Sequence, residues 1–316
     1  MKNQRSKVAI IGAGNVGSTF AFTLMTSGVA REIALVDRDE ARARGECMDL
    51  NHGASFMNPV NIYAAGYEGC KDADIVVITA GARQKPGQTR IDLVRTNVEI
   101  LKKMIPEILK YAEDAVLLVV SNPMDILTYV TLKVSGLPDN RVIGSGTVLD
   151  TSRLRYLISE HCRIDSRNVH AYIIGEHGDT ELPVWSAASI GGMLFAKYCP
   201  ICGKCNDYKK ELGGIFEEVK NAAYRIIESK GATYYAIALA LVKIVEVILR
   251  DENAVLAVSS LVNGYYGIKD VCLSIPRIVN RNGIKNFLSL ELLQSEQKQL
   301  KDSADSLKEV LKSVNL

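Results

Sequence analysis

The chain has 316 residues, enough for about two domains of ordinary size, each with its own core. Its 38 basic and 36 acidic side chains leave a formal charge of +2, which excludes the clustered basic excess of a nucleic-acid protein. Hydrophobic residues make up 47% and charged ones 23%, which excludes a disordered chain. The longest apolar stretch, 236–249, is interrupted by Lys243 and Glu246, so no membrane-spanning segment is expected. Near the start, Lys2, Arg5 and Lys7 precede an apolar run at 8–11. That run stops at Gly12, and no small-residue cleavage site follows it. A cytoplasmic location is expected.

In chain order, residues 8–11, 33–36, 75–78 and 115–120 are continuous apolar runs of strand length. Such runs suit strands buried on both faces of a parallel sheet. A helix-length stretch, 15–27, lies between the first two runs and stops at Gly28. Residues 142–144 read as a further strand. This alternation predicts a doubly wound parallel α/β sheet of the Rossmann type, forming a dinucleotide-binding domain over 1–147.

From 148 to 316 the pattern changes to that of an α+β substrate domain. A helix is expected over 150–161, with Leu154, Leu157 and Ile158 on one stripe, then a short strand over 170–175. Long helices follow over 211–227 and 233–249, antiparallel strands over 255–264 and 271–280, and an amphipathic helix over 290–314. No repeat or low-complexity linker separates the halves, so they are expected to share an interface, the usual place for a site.

Gly12-Ala13-Gly14-Asn15-Val16-Gly17 follows the first expected strand and opens the first helix. In that context Gly12 allows a tight turn, Gly14 lets a pyrophosphate approach, and Gly17 lets helix and strand pack closely. The helix N-terminus adds unpaired N–H groups for the phosphates. Asp37, twenty residues after Gly17, ends the second strand, where a carboxylate accepts from a ribose hydroxyl and repels a 2′-phosphate. NAD is therefore expected rather than NADP.

The four histidines are His52, His161, His170 and His177. His161 falls in a helix, and His52 sits ambiguously near a helix end. His177 occupies a glycine-flanked turn, Gly175-Glu176-His177-Gly178-Asp179, directly after an expected strand. Asp150 and Arg153, three apart, project from one helix face. They fit an acid that orients an imidazole and a guanidinium that grips a carboxylate, or equally a plain intrahelical ion pair. The stretch 81–90, with Gly81, Pro86 and Gly87, suits a mobile lid with Arg90 at its far end, or a solvated basic loop.

Seven cysteines, an odd number, make no secreted disulfide framework. Cys47, Cys70, Cys162 and Cys272 are isolated and expected to be thiols. Cys199-Pro200-Ile201-Cys202-Gly203-Lys204-Cys205 has the spacing of a metal knuckle. It lacks a fourth ligand, the nearest histidine in the sequence being His177, so a surface turn with free thiols is expected and no metal is assigned. Tyr129 and Lys133 match the Y-x-x-x-K spacing of short-chain dehydrogenases, but the glycine pattern of those proteins is absent, and the pair is expected to decorate a helix.

The glycine turn, the Gln84 loop, Ser121-Asn122-Pro123, Asp150-Thr151-Ser152-Arg153, the His177 turn and Lys230-Gly231-Ala232-Thr233 occur in one order. Linked in this way, they resemble the lactate and malate dehydrogenases, essentially from Lys7 onward, with bacterial L-lactate dehydrogenases as the nearer group. The resemblance implies NAD-dependent interconversion of pyruvate and (S)-lactate. It makes His177 the acid/base, Asp150 its partner, Arg90 the lid arginine and Arg153 the carboxylate clamp. Asn122 and Thr233 would meet the substrate. Gly12, Gly14, Val16, Gly17, Asp37, Arg42, Tyr67, Gly81, Ala82, Ser121, Asn122 and Ser145 would meet the cofactor. Met124 departs from the valine common at its position, and the cysteine knuckle is not general to the family.

Malate enzymes carry arginine where this chain has Gln84, so a second substrate carboxylate would go unbalanced here. The alternatives are a malate dehydrogenase and a non-catalytic NAD-binding protein. The second would have lost at least one of His177, Asp150, Arg153 and Arg90, and all four are present. The resemblance further implies a homotetramer activated by fructose 1,6-bisphosphate through Arg155 and His170 at a two-fold interface.

Overall fold

The computed structural model describes residues 6–83, 87–199, 201–202 and 207–314. The first half runs β1 (Lys7–Ile11), α1 (Asn15–Ser27), β2 (Glu32–Val36), α2 (Glu40–His52), β3 (Asn61–Ala65), β4 (Ile75–Ile78), α3 (Arg90–Leu109), β5 (Val116–Val119), α4 (Met124–Ser135) and β6 (Val142–Gly144). Then come α5 (Val148–Cys162) and five two-residue strands: β7 (Val169–His170), β8 (Ile173–Ile174), β9 (Leu182–Pro183), β10 (Ser189–Ile190) and β11 (Met193–Leu194). The chain continues through α6 (Phe195–Tyr198), α7 (Tyr208–Lys230), α8 (Tyr235–Arg250), β12 (Ala254–Asn263), β13 (Lys269–Asn280), β14 (Gly283–Phe287) and α9 (Gln294–Ser313).

One sheet of nine strands crosses the molecule in the order β14-β13-β12-β6-β5-β4-β1-β2-β3. Strands β1 to β6 are parallel, as the apolar runs at β1, β2, β4 and β5 predict. Along β1, Val8 and Ile10 face one layer while Ala9 and Ile11 face the other. The first layer is built by α1, α2 and α8, the second by α3, α4 and α9. Because both faces are covered, no polar alternation survives in β1, β2, β4 and β5.

The two halves meet within this sheet. β12 lies antiparallel beside β6, with Ser259 opposite Gly144. Next to this pairing the Thr147 N–H donates to the Ala257 carbonyl at 3.0 Å. A Cβ on Gly146, where φ is +61°, would lie 2.4 Å from the same carbonyl. Only a glycine permits that approach.

The structure departs from the sequence reading in several places. β3 is an edge strand with a polar start, and no apolar run marks it. The single strand expected over 170–175 is split, since β7 pairs with β10 and β8 with β9. Arg90, expected at the far end of a loop, instead opens α3, whose start is fixed by a capping box between Thr89 and Asp92. Cys199 does not lie in a surface turn as a free thiol: it is fully buried and disulfide-bonded. Cys205 lies outside the described residues.

Candidate active site

The three glycines of the first turn differ in what surrounds them. Gly12 has φ +109°, a left-handed conformation that side chains resist. A Cβ on Gly17 would sit 1.8 Å from the Gly12 carbonyl oxygen, so α1 packs onto the turn only without one. A Cβ on Gly14 would meet nothing within 4 Å, so its backbone faces open space at the N-terminus of α1. This is a cradle a pyrophosphate can enter, and the residues present fit a dinucleotide.

Asp37, at the carboxyl end of β2, accepts from the Ala13 N–H at 2.6 Å and the Asp39 N–H at 2.9 Å. Its side chain is therefore fixed beside the cradle. Gly81 and Ala82 follow β4, Ser121 and Asn122 follow β5, and Ser145 follows β6, so all share one edge of the sheet. β1 and β4 are neighbours there, and the strand order reverses between them, the expected place for a ligand. Ser121 Oγ donates to the Ala80 carbonyl at 2.6 Å. Buried Asn97 accepts from the Ala82 N–H at 2.7 Å and donates to the Asn122 carbonyl at 2.8 Å. It ties the base of the 81–90 loop to the β5 end. Val16 and Tyr67 are half-buried, while Arg42 is exposed and pairs with Glu46 at 3.9 Å.

His177 stands in the turn after β8, held by its backbone. Gly175 bridges to Ser274 of β13 through two hydrogen bonds of 2.9 Å. The His177 N–H donates to Asp125 Oδ2 at 2.7 Å. Its Nδ1 lies 2.6 Å from Asp150 Oδ2, and Arg153 Nη1 is 2.7 Å from Asp150 Oδ1. Both readings of the Asp150–Arg153 spacing therefore hold together: the acid pairs with the arginine and also holds the imidazole. Among the described residues only Asp150 takes a hydrogen bond from Arg153, which leaves other guanidinium donors for a carboxylate.

The negative charge of Asp150 is the main cause that raises the His177 imidazole from 6.5 to about 9, against the opposing effect of burial. Burial alone would raise the Asp150 carboxyl. The charges of His177 and Arg153 outweigh that and hold it below the usual carboxylate range. Arg90 reaches over from the start of α3 and ion-pairs with Glu176 at 3.1 Å and Asp179 at 3.0 Å, flanking His177 in sequence.

Two buried acids in this region have no local signal in the sequence. Burial pushes Asp125 up to about 6, although Ser259 Oγ and the His177 N–H donate to it. Burial, and then the nearby Asp150 charge, push Glu181 up to about 8. Glu181 thus holds its proton more tightly than an ordinary carboxyl, and its charge, where present, adds to that of Asp150 in raising the imidazole. His177 and Glu181 share the connection between β8 and β9, and the fold brings Asp150 of α5 against both.

The remaining candidates are more scattered. Thr233 is half-buried between α7 and α8, and Gln84 lies outside the described residues. Arg155 points away from Arg153. Its Nε donates to the Ala171 carbonyl at 3.2 Å, next to exposed His170, and its guanidinium lies 5.6 Å from the centre of the Tyr172 ring. The Tyr129 hydroxyl and Lys133 ammonium both engage Asp270, at 3.1 and 3.3 Å, so this pair braces α4 against the strand β13. His52 is exposed at the end of α2.

Residues 6–144 match the model of the lactate/malate dehydrogenase NAD-binding domain, and 147–315 match that of the α/β C-terminal domain of the same proteins. An L-lactate dehydrogenase of Acetivibrio thermocellus is 56% identical over 310 residues, covering 98% of each chain. One from Thermoanaerobacterium saccharolyticum is 56% identical over 313 residues, covering 98% of this chain and all of the relative. Among solved structures, MGS-M5, a lactate dehydrogenase from a Medee basin deep-sea metagenome library, superposes with a TM-score of 0.95. It is 45% identical and covers 99% of both chains. The glycine cradle, the Asp150–His177 pair and these matches along the whole length agree: the chain belongs to the lactate/malate dehydrogenase family.

Proposed function

We propose that the chain is an NAD-dependent L-lactate dehydrogenase that reduces pyruvate reversibly to (S)-lactate. The observation that carries this reading is the His177–Asp150–Arg153 cluster, in which one carboxylate holds both an imidazole and a guanidinium. The bound cofactor supplies a hydride at its nicotinamide ring. Near neutral pH His177 is protonated and keeps Nδ1–H on Asp150, so Nε2–H is available to the substrate oxygen. Arg153 offers its remaining donors to the substrate carboxylate, which fixes the orientation of the C2 carbonyl. Arg90, placed beside the His177 turn, stabilises the negative charge that develops on that oxygen. Closing the loop before α3 would exclude water and strengthen these contacts.

Two sequence-derived features favour pyruvate over oxaloacetate: the neutral amide at Gln84 and the side chain of Thr233. The test is NADH oxidation with the two substrates side by side. A higher kcat/KM for pyruvate is expected. A higher value for oxaloacetate would make the chain a malate enzyme, and no turnover of either would make it a non-catalytic NAD-binding protein.

The finer proposals are a cytoplasmic homotetramer and activation by fructose 1,6-bisphosphate. Among the described residues no helix is long and apolar enough to cross a membrane. The placement of Arg155 against the strand that ends in exposed His170 supports a phosphate-binding role for the two residues. A two-fold axis would double them into one cationic cavity.

A further inference from the structure

The cysteine knuckle plays no part in the chemistry above, and the fold gives it a partner 38 residues away in sequence. His161 lies in the last turn of α5, while Cys199 and Cys202 follow α6. His161 Nε2 is 3.8 Å from Cys199 Sγ and 3.8 Å from Cys202 Sγ. All three donor atoms lie within 4.8 Å of one another. The histidine beside the knuckle is thus His161, not His177.

We propose that His161, Cys199 and Cys202 hold a zinc ion once the disulfide at Cys199 is reduced. The spacing agrees with this. Tetrahedral zinc with Zn–S near 2.3 Å and Zn–N near 2.0 Å sets its sulfur and nitrogen ligands about 3.6 Å apart, a few tenths of an ångström inside the observed distances. Two thiolates and one imidazole form a soft, borderline donor set that selects zinc over magnesium or calcium. The turn is already shaped for binding, because the Cys202 N–H donates to the Tyr198 carbonyl at 3.1 Å and its Sγ packs 3.0 Å from the Cys199 carbonyl. A fourth ligand from water completes the tetrahedron. Cys205, three residues beyond Cys202 in the sequence, lies outside the described residues, and the proposal does not need it.

The site would stand apart from the reaction. His161 is eleven residues beyond Asp150 along α5, about 16 Å at the usual rise of a helix, so the ion stands well away from the reaction. What it joins is a small core of its own, in which Leu154 and Ile158 of α5 pack with Phe195, Cys199, and Leu212 of α7. A metal bridging α5 to the turn after α6 would close that core at its edge.

Loading balances as follows. A dithiol reductant gives two electrons and two protons to the disulfide, leaving two cysteine thiols and the oxidised cyclic reductant. Zinc binding then releases a proton from each ligating thiol to the buffer. The full chain should be purified with a dithiol, dialysed against a zinc buffer, and assayed for metal by mass spectrometry. Cobalt(II) titration would read the same site through thiolate-to-cobalt absorption. One metal per chain is expected, with intense thiolate–cobalt bands. Cys202→Ser and His161→Gln should each weaken zinc binding at least about tenfold, while His161→Cys should restore it. Cys202 is only half-buried, so its serine variant should fold, and unchanged kcat for pyruvate would confirm that it does. Trace metal in the reduced wild-type chain, or equal zinc affinity in folded Cys202→Ser, would overturn the proposal.

Discussion

Replacing Asp150 with asparagine tests the electrostatic core of the site. The substitution keeps the shape of the side chain and removes the charge that dominates the His177 shift. Without that charge only the smaller effects of Asp125 and Glu181 oppose the burial of the ring, so half-protonation should fall from about 9 to near 6.5. At about 1.4 kcal/mol per pH unit, the lost preference for the cation is about 3.5 kcal/mol. At pH 7.5 the protonated fraction would drop from roughly 97% to below roughly 10%. Because the folded value lies above the unfolded one, the stabilisation this group provides is complete below pH 6.5. It is lost as pH rises through about 9, and so is the proton needed for pyruvate reduction. The assay is kcat/KM for pyruvate against pH, paired with imidazole NMR titration, which four histidines keep tractable. Wild type should lose activity near pH 9, and the variant should lose it more than two units lower. A profile and an imidazole titration that inflect at the same pH in both proteins would refute the electrostatic account.

The other predictions address specificity, regulation and packing. Gln84→Arg should raise kcat/KM for oxaloacetate relative to pyruvate by about tenfold or more, because it supplies a countercharge for the second carboxylate. An unchanged ratio would remove Gln84 from the substrate side chain. Fructose 1,6-bisphosphate should lower the pyruvate concentration giving half-maximal rate, and Arg155→Gln should abolish that response. Superimposed saturation curves with and without the bisphosphate in phosphate-free buffer would end that idea. Gly17→Ala should destabilise the fold by about 2 kcal/mol or more, because its methyl would meet the Gly12 carbonyl at 1.8 Å. Thermal unfolding measures this, and an unaltered midpoint would contradict the close packing of α1 on the turn.

What could be read from the chain follows from how local each signal is. β1, β2, β4 and β5 announce themselves because both faces of the sheet are covered, so burial writes an unbroken apolar run. β3 has no such run, since Asn61 is exposed at the sheet edge. The strands β7 to β11 are two residues long, below the length at which alternation means anything. Asp150 and Arg153 share a helix face, so their spacing suggested a joint role, and His177 stood out between its glycines. Asp125 and Glu181 carry no local pattern. They become visible only when α4, α5 and the His177 turn are brought together. The expectation of free thiols in the cysteine turn holds at Cys202 and fails at Cys199, because composition could not show that Cys199 would be fully buried and disulfide-bonded.

The seam between β6 and β12 governs how the molecule can move and be divided. The strand carrying residues 142–144 is hydrogen-bonded on one side to β5 and on the other to β12. A Cβ on Gly144 would come within 3.0 Å of the Ser259 Cβ across the joint, so the two strands pack closely there. A sheet continuous through such a joint does not bend like a hinge. The groups that β6 and β12 carry therefore keep a fixed separation. Cutting the chain at this point would strip one edge of an apolar strand and leave a sticky border in place of an independent module.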